Sequence, residues 1–215
     1  MSDLRYTLIT DGSSDAALLP ILTRTLRAHG VRCAIQPSLA ETWALPSKAA
    51  TLEARIRTGI ELYPCDLLFV HRDAENQDPA ARRQEICRAA QQVLASSLNP
   101  TLVCVIPVRM QEAWLLISEE ALRYAAGNRA GRQPLSLPQL QDLEDLPHPE
   151  HLLHELLRAA SGLGSRRLKR FPVHQCALRV AEYIEDLTPL KGLSAFRQLE
   201  EDIEQAIHTL GWVME

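Results

Sequence analysis

The sequence predicts an α/β fold: an open, mainly parallel sheet of about four strands with helices on both faces, followed by a helical C-terminal part. Three observations predict it. Through residue 127, short β-type runs alternate with stretches of helical spacing, the order produced by successive βα units. The run at 66–70 (DLLFV) is almost wholly apolar, as expected of a strand covered on both faces. Beyond residue 138 only helical spacing recurs.

Each element follows from local chemistry. Residues 5–10 (RYTLIT) form the first β-type run. Residues 16–29 place Leu18, Leu19, Leu22 and Leu26 at helical spacing, and Gly30 closes that helix as its C-terminal cap. Residues 31–36 read as the second strand. Residues 49–63 form the second helix, with Leu52, Ile56 and Ile60 four apart on one face. The strand at 66–70 takes the central place in the sheet. Residues 79–97 form the third helix, opened by Asp78 as N-cap and Pro79 in the first turn. Residues 101–108 (TLVCVIPV) supply the fourth strand and 112–126 the fourth helix, ending at Gly127. The Gly-, Pro-, Arg- and Gln-rich stretch 128–138 reads as a linker. The chain thus divides into an α/β domain, 1–127, and a linker with a helical C-terminal subdomain packed on it, 128–215. That subdomain holds helices at 149–161, 173–187 and 194–210.

Composition bounds the function. With 46% apolar and 23% charged residues in a chain of 215, a substantial core is expected and disorder is not. The net charge of −4 neither marks a nucleic-acid binder nor excludes a local basic face. No apolar run reaches the roughly 18 residues needed to cross a bilayer, and the polar start shows no signal peptide. A cytoplasmic protein with no membrane partner is expected. Cys33, Cys65, Cys87, Cys104 and Cys176 are odd in number and widely spaced, which speaks for small core residues and against a disulfide framework or a cysteine-based zinc site.

In open parallel sheets, ligands bind beyond the carboxyl ends of the strands. Acids gather there. The first strand runs into Asp11-Gly12-Ser13-Ser14-Asp15, the third into His71-Arg72-Asp73-Ala74-Glu75, and the fourth through Arg109 to Glu112. Capping or solvation accounts for any one of them, since Asp and Ser are common turn and N-cap residues. Three separate strands ending in acids is more than capping asks for. Converging carboxylates repel, and hard oxygen ligands suit Mg²⁺ or Mn²⁺.

The stretch Asp11-Gly12-Ser13-Ser14-Asp15-Ala16 resembles the acidic-Gly-x-x-Asp signature of Toprim domains, which occur in topoisomerases, primases and overcoming-lysogenization-defect nucleases. Asp73-Ala74-Glu75 is similar to their second motif, Asp-x-Asp after the third strand, and a pairing of His71 with Asp73 is the alternative register. Residues 107–116 (PVRMQEAWLL) and the late Leu193-Ser194-Ala195-Phe196 resemble a small Toprim-like family of uncharacterised bacterial proteins. Asp11 stands where the family has Glu, and Glu75 where it has Asp. The resemblance implies a metal-dependent phosphoryl-transfer protein, a nuclease acting on DNA or RNA in bacterial phage defence. The other expectation is a weakened Toprim-like binding or regulatory subunit that works with a larger, co-encoded partner such as an ATPase. No nucleotide-hydrolysing P-loop is present in this sequence.

On this reading Asp11, Asp73 and Glu75 hold the ion, and Asp11, Asp15 and Glu112 serve catalysis by moving protons or positioning water. Arg109 neutralises phosphate charge, or screens the crowded acids. Arg166, Arg167 and Lys169, in the densest basic run, grip a nucleic-acid backbone unless that run is only a solvated linker. His148, His151 and His154 recur every third residue, but Pro149 intervenes and a metal role is not expected of them.

Overall fold

The computed structural model describes residues 3–44, 51–75, 77–94 and 100–212. Four strands, β1 (Leu4–Ile9), β2 (Ile35–Ala40), β3 (Leu67–His71) and β4 (Thr101–Val105), pair in the order β2-β1-β3-β4, and every pair is parallel. The α/β class, the parallel sheet and the interior place of the 66–70 run stand as the sequence predicts. All five residues of β3 are buried, because helices cover both faces.

Side chains alternate between those faces along each strand. Leu4, Tyr6, Leu8, Leu67, Phe69, Val103 and Val105 join one core with Leu18, Ile21 and Leu22 of α1 (Leu18–Ala28). Ile9, Leu68, Val70 and Cys104 join a second core with Ile56 of α2 (Leu52–Leu62) and Ile86 of α3 (Pro79–Val93). The first core is the larger. It continues into α4 (Glu119–Ala125), α5 (Pro149–Ser161), α7 (Val173–Tyr183) and α8 (Ser194–Thr209), through Leu122, Leu157, Val180 and Ile203. Edge-to-face rings anchor it, with Tyr6 and Phe69 at 5.2 Å and Trp114 and Phe196 at 5.4 Å between centroids. Among the described residues, no helix is long and apolar enough to cross a membrane.

Several boundaries differ from the sequence reading. The second strand occupies 35–40, not 31–36. Gly30 has φ +92°, its N–H donates to the Arg27 carbonyl, and the Val31 N–H donates to that of Leu26. This is the Schellman arrangement, which spends Val31 as the apolar plug of the helix end. Pro37 is tolerated because β2 lies at the sheet edge. The first helix begins as a 3₁₀ turn, Ser13–Ala17. The expected helix at 112–126 is two pieces, a 3₁₀ turn at Gln111–Leu115 and then α4. Ser118 divides them by accepting the Ala121 N–H at 3.1 Å, an N-cap that starts a new helix. β4 stops at Val105, two residues before Pro107. The expected helix at 173–187 ends at Tyr183, and a 3₁₀ turn, Thr188–Gly192, follows. The short helix α6 (Ser165–Leu168) carries the basic run. The expected start of the second helix at 49–50 and the end of the third at 95–97 lie outside the described residues.

Candidate active site

From β1 the chain moves to one side of the sheet, to β2, and from β3 to the other, to β4. The carboxyl ends of β1 and β3 therefore flank the switch point of the strand order, where open α/β sheets bind ligands. Beyond the strands, the segments after β3 and β4 remain zipped together. The Arg72 N–H donates to the Val105 carbonyl at 3.1 Å, that of Ala74 to Pro107 at 2.9 Å, and that of Glu75 to Arg109 at 3.2 Å. The Gln111 N–H then donates to Asp73 Oδ1 at 3.0 Å, fixing this carboxylate at the mouth of the switch point.

His71 closes β3 and is 2% exposed. Its Nδ1 lies 3.1 Å from the Val105 carbonyl, which can only accept, so Nδ1 carries the hydrogen and Nε2 offers a lone pair. That lone pair faces Asp73 Oδ1 at 3.6 Å and Asp15 Oδ2 at 3.9 Å. Burial holds the imidazole below its ordinary pKa and hence neutral, against the pull of Asp15. Burial first, then the neighbouring Glu112 and Asp15, push the Asp73 carboxyl up to about 8. Asp15 also caps its own turn, accepting the Gly12 N–H and the Ser14 hydroxyl, each at 3.2 Å. Capping and site membership coexist in this residue. Gly12 itself has φ −153°, ordinary extended backbone, so its smallness is not needed for the turn.

Glu112 comes from the 3₁₀ turn after β4. Burial raises its pKa, with Glu150 and Asp15 adding to the effect. The Gln111 side-chain amide donates to Glu112 Oε1 at 3.3 Å and to the Ser14 carbonyl at 3.2 Å. Glu112 Oε2 and Gln111 Oε1 are buried without a hydrogen-bond donor. Both residues line a pocket of about 240 Å³ between the strand ends and helices α5 and α7.

The expected metal set of Asp11, Asp73 and Glu75 does not converge. Asp11 is drawn away by two guanidiniums, Arg55 and Arg72, the latter at 3.0 Å, and Arg72 in turn holds Glu85 at 2.6 Å. Glu75 is exposed, in left-handed backbone with φ +54°, and Arg109 Nη1 donates to its carbonyl at 3.5 Å. Asp73 instead gathers with Asp15, His71 and Glu112. Hard carboxylate oxygens are the ligand type that Mg²⁺ and Mn²⁺ take, but among the described residues no three ligand atoms of Asp15, His71, Asp73 and Glu112 lie within 4.8 Å of one another.

Arg166, Arg167 and Lys169 are exposed, on or directly after α6, around a shallow depression with Arg170. Three further side chains form a group that sequence spacing does not reveal. Glu150, His154 and His174 have ligand atoms within 4.8 Å of one another, the one such His/Cys/Asp/Glu group among the described residues. His71 carried a readable signal, a polar residue closing an apolar strand. Arg55, Gln111 and His174 carried none, because only folding brings them to the site. No family model, curated protein or solved structure matches this chain.

Proposed function

We propose that this protein is a metal-dependent phosphoryl-transfer protein, a nuclease of the Toprim type that acts on DNA or RNA with Mg²⁺ or Mn²⁺. The observation that carries the reading is the surplus of acceptors at the switch point. His71 Nε2 lies beside Asp73 and Asp15, burial and the neighbouring Glu112 and Asp15 push the Asp73 carboxyl up to about 8, and Glu112 Oε2 and Gln111 Oε1 are buried without a donor. Asp73 and Asp15 would hold the ion, with His71 and Glu112 beside it. Such an ion, when bound, polarises a phosphoryl oxygen and stabilises the leaving oxygen. Glu112 Oε2, with its raised pKa and no competing donor, is the proton acceptor for an attacking water. Arg166, Arg167 and Lys169 hold the nucleic-acid backbone without reading its sequence. Phage defence in the cytoplasm, beside a separate ATPase, is the setting that the Toprim resemblance supports.

Purified protein assayed on single- and double-stranded DNA and on RNA tests this. Cleavage should require Mg²⁺ or Mn²⁺ and fall by at least roughly 100-fold in Asp73→Asn, the lower range for losing a catalytic group. Arg166→Ala should instead weaken binding at every sequence and flatten its salt dependence. Cleavage that persists in EDTA, or that ignores Asp73→Asn, would overturn the mechanism. One observation favours the second reading, a regulatory subunit with a weakened site: the first-motif acid, Asp11, is tied to Arg55 and Arg72. That protein would bind Mn²⁺ and nucleic acid but cleave nothing without its partner.

A further inference from the structure

We propose that Glu150, His154 and His174 form a second metal site, for a borderline transition-metal ion of the Zn²⁺ type, in the pocket beside the strand-end acids. Glu150 and His154 lie one turn apart on the same face of α5, and His174 is the second residue of α7, which packs against it. The three ligand atoms lie within 4.8 Å of one another. The two imidazoles meet edge to face at 4.6 Å between centroids. An independent feature points into the same pocket. Glu112 is 7% exposed and Gln111 1%, both line the cavity, and each has a buried oxygen without a donor.

The chemistry selects the ion. Two imidazoles and one carboxylate suit Zn²⁺ and its neighbours rather than Mg²⁺, which prefers oxygen ligands. Three protein ligands leave a coordination position open toward the pocket, as in catalytic rather than structural zinc sites. His151 and Glu155 repeat the same spacing on α5 at 3.2 Å but are 72% and 60% exposed, and among the described residues no third ligand closes on them. That pair is the internal control.

The site does not depend on nuclease activity, so its test is metal binding. Protein stripped with EDTA and dialysed is titrated with Zn²⁺ against a chromophoric chelator in excess Mg²⁺, and with Co²⁺ as a spectroscopic probe. One Zn²⁺ per chain should bind despite the Mg²⁺, and Co²⁺ should give the intense visible bands of a low-coordinate site. His154→Ala and His174→Ala should each weaken Zn²⁺ by at least roughly tenfold, since even outer partners of a metal ligand are worth that much. His151→Ala and Asp73→Asn should bind as the wild type does. His174 is exposed, so its variant keeps the fold, and an unchanged melting temperature without metal verifies this. Absence of wild-type binding, unchanged affinity in His174→Ala, or equal loss in His151→Ala or Asp73→Asn would overturn the site. Zn²⁺ binding in the expected pattern by a protein that cleaves nothing would count only against the phosphoryl-transfer reading.

Discussion

Burial holds the Asp73 carboxyl at about 8, so the folded protein keeps a proton there that the unfolded chain has released. The folded state binds more protons between about pH 4 and pH 8, and without metal its stability falls as pH rises through that window. Asp73→Asn removes the titration. It should flatten the pH dependence and raise the melting temperature at pH 8 by roughly 5 °C or more, at about 2–4 °C per kcal/mol for a chain of this size. Millimolar Mn²⁺ should reverse the order, stabilising the wild type by mass action and leaving the variant unmoved. A variant that melts lower at pH 8 without metal would show that the carboxylate is not held protonated. Asp11 and Asp15 separate the two acid sets. Asp11 spends its charge on Arg55 and Arg72 and is 46% exposed, so Asp11→Asn should keep most of the Mn²⁺-induced shift and cost at most about 1 kcal/mol. Asp15→Asn should abolish the shift. The reverse result would restore Asp11 as the ligand.

At the scale of elements, helix ends decide where the chain turns. Glu144, in the 3₁₀ turn Leu140–Asp145, reaches the N-terminus of α8. Its carboxylate accepts from the Ser194 N–H at 3.1 Å, the Ser194 hydroxyl at 2.8 Å and the Ala195 N–H at 2.8 Å. It thereby satisfies orphan donors and opposes the positive end of the helix dipole. At the other end of a helix, Arg24 of α1 donates to the carbonyls of Ala181 at 2.5 Å and Glu182 at 2.6 Å, tying the close of α7 to the sheet layer. Glu144→Ala should cost about 1–2 kcal/mol, read as a lower denaturant midpoint at unchanged slope, and Glu144→Gln about half as much. A midpoint that does not move in Glu144→Ala would mean that water replaces the carboxylate without loss.

In the whole molecule, the sheet and the C-terminal helices share one apolar core, so the two halves of the chain should fold together. Phe196 of α8 stands edge to face with Trp114 and is 1% exposed. Phe196→Ala should cost about 3–5 kcal/mol and shift the transitions of near-ultraviolet and far-ultraviolet circular dichroism together. Residues 1–127 alone should fail to show fixed tertiary signals, because removing α8 uncovers β4, against which it packs, and removing α5 and α7 uncovers α4 and the Gln111–Leu115 turn. A cooperative unfolding transition from that fragment would establish the α/β half as an independent domain.

The sequence by itself determined the parallel sheet, the central place of the DLLFV run and the helical second half. Each rests on short-range periodicity, and burial on two faces leaves a near-continuous apolar strand that few other structures would tolerate. It also determined that acids crowd the strand ends, since the residues after a strand are fixed to its rim by a few bonds of chain. The boundaries that failed, at Val31 and at Ser118, were settled by capping hydrogen bonds that compete locally with the periodic pattern. Only the tertiary structure decided which acids meet. Arg55 and Arg72 capture Asp11, the backbone at Gln111 fixes Asp73, and α7 carries His174 to His154, all through partners far apart in the chain. Charge neutralisation acts through space, and periodicity along a chain carries no record of the distances it acts over.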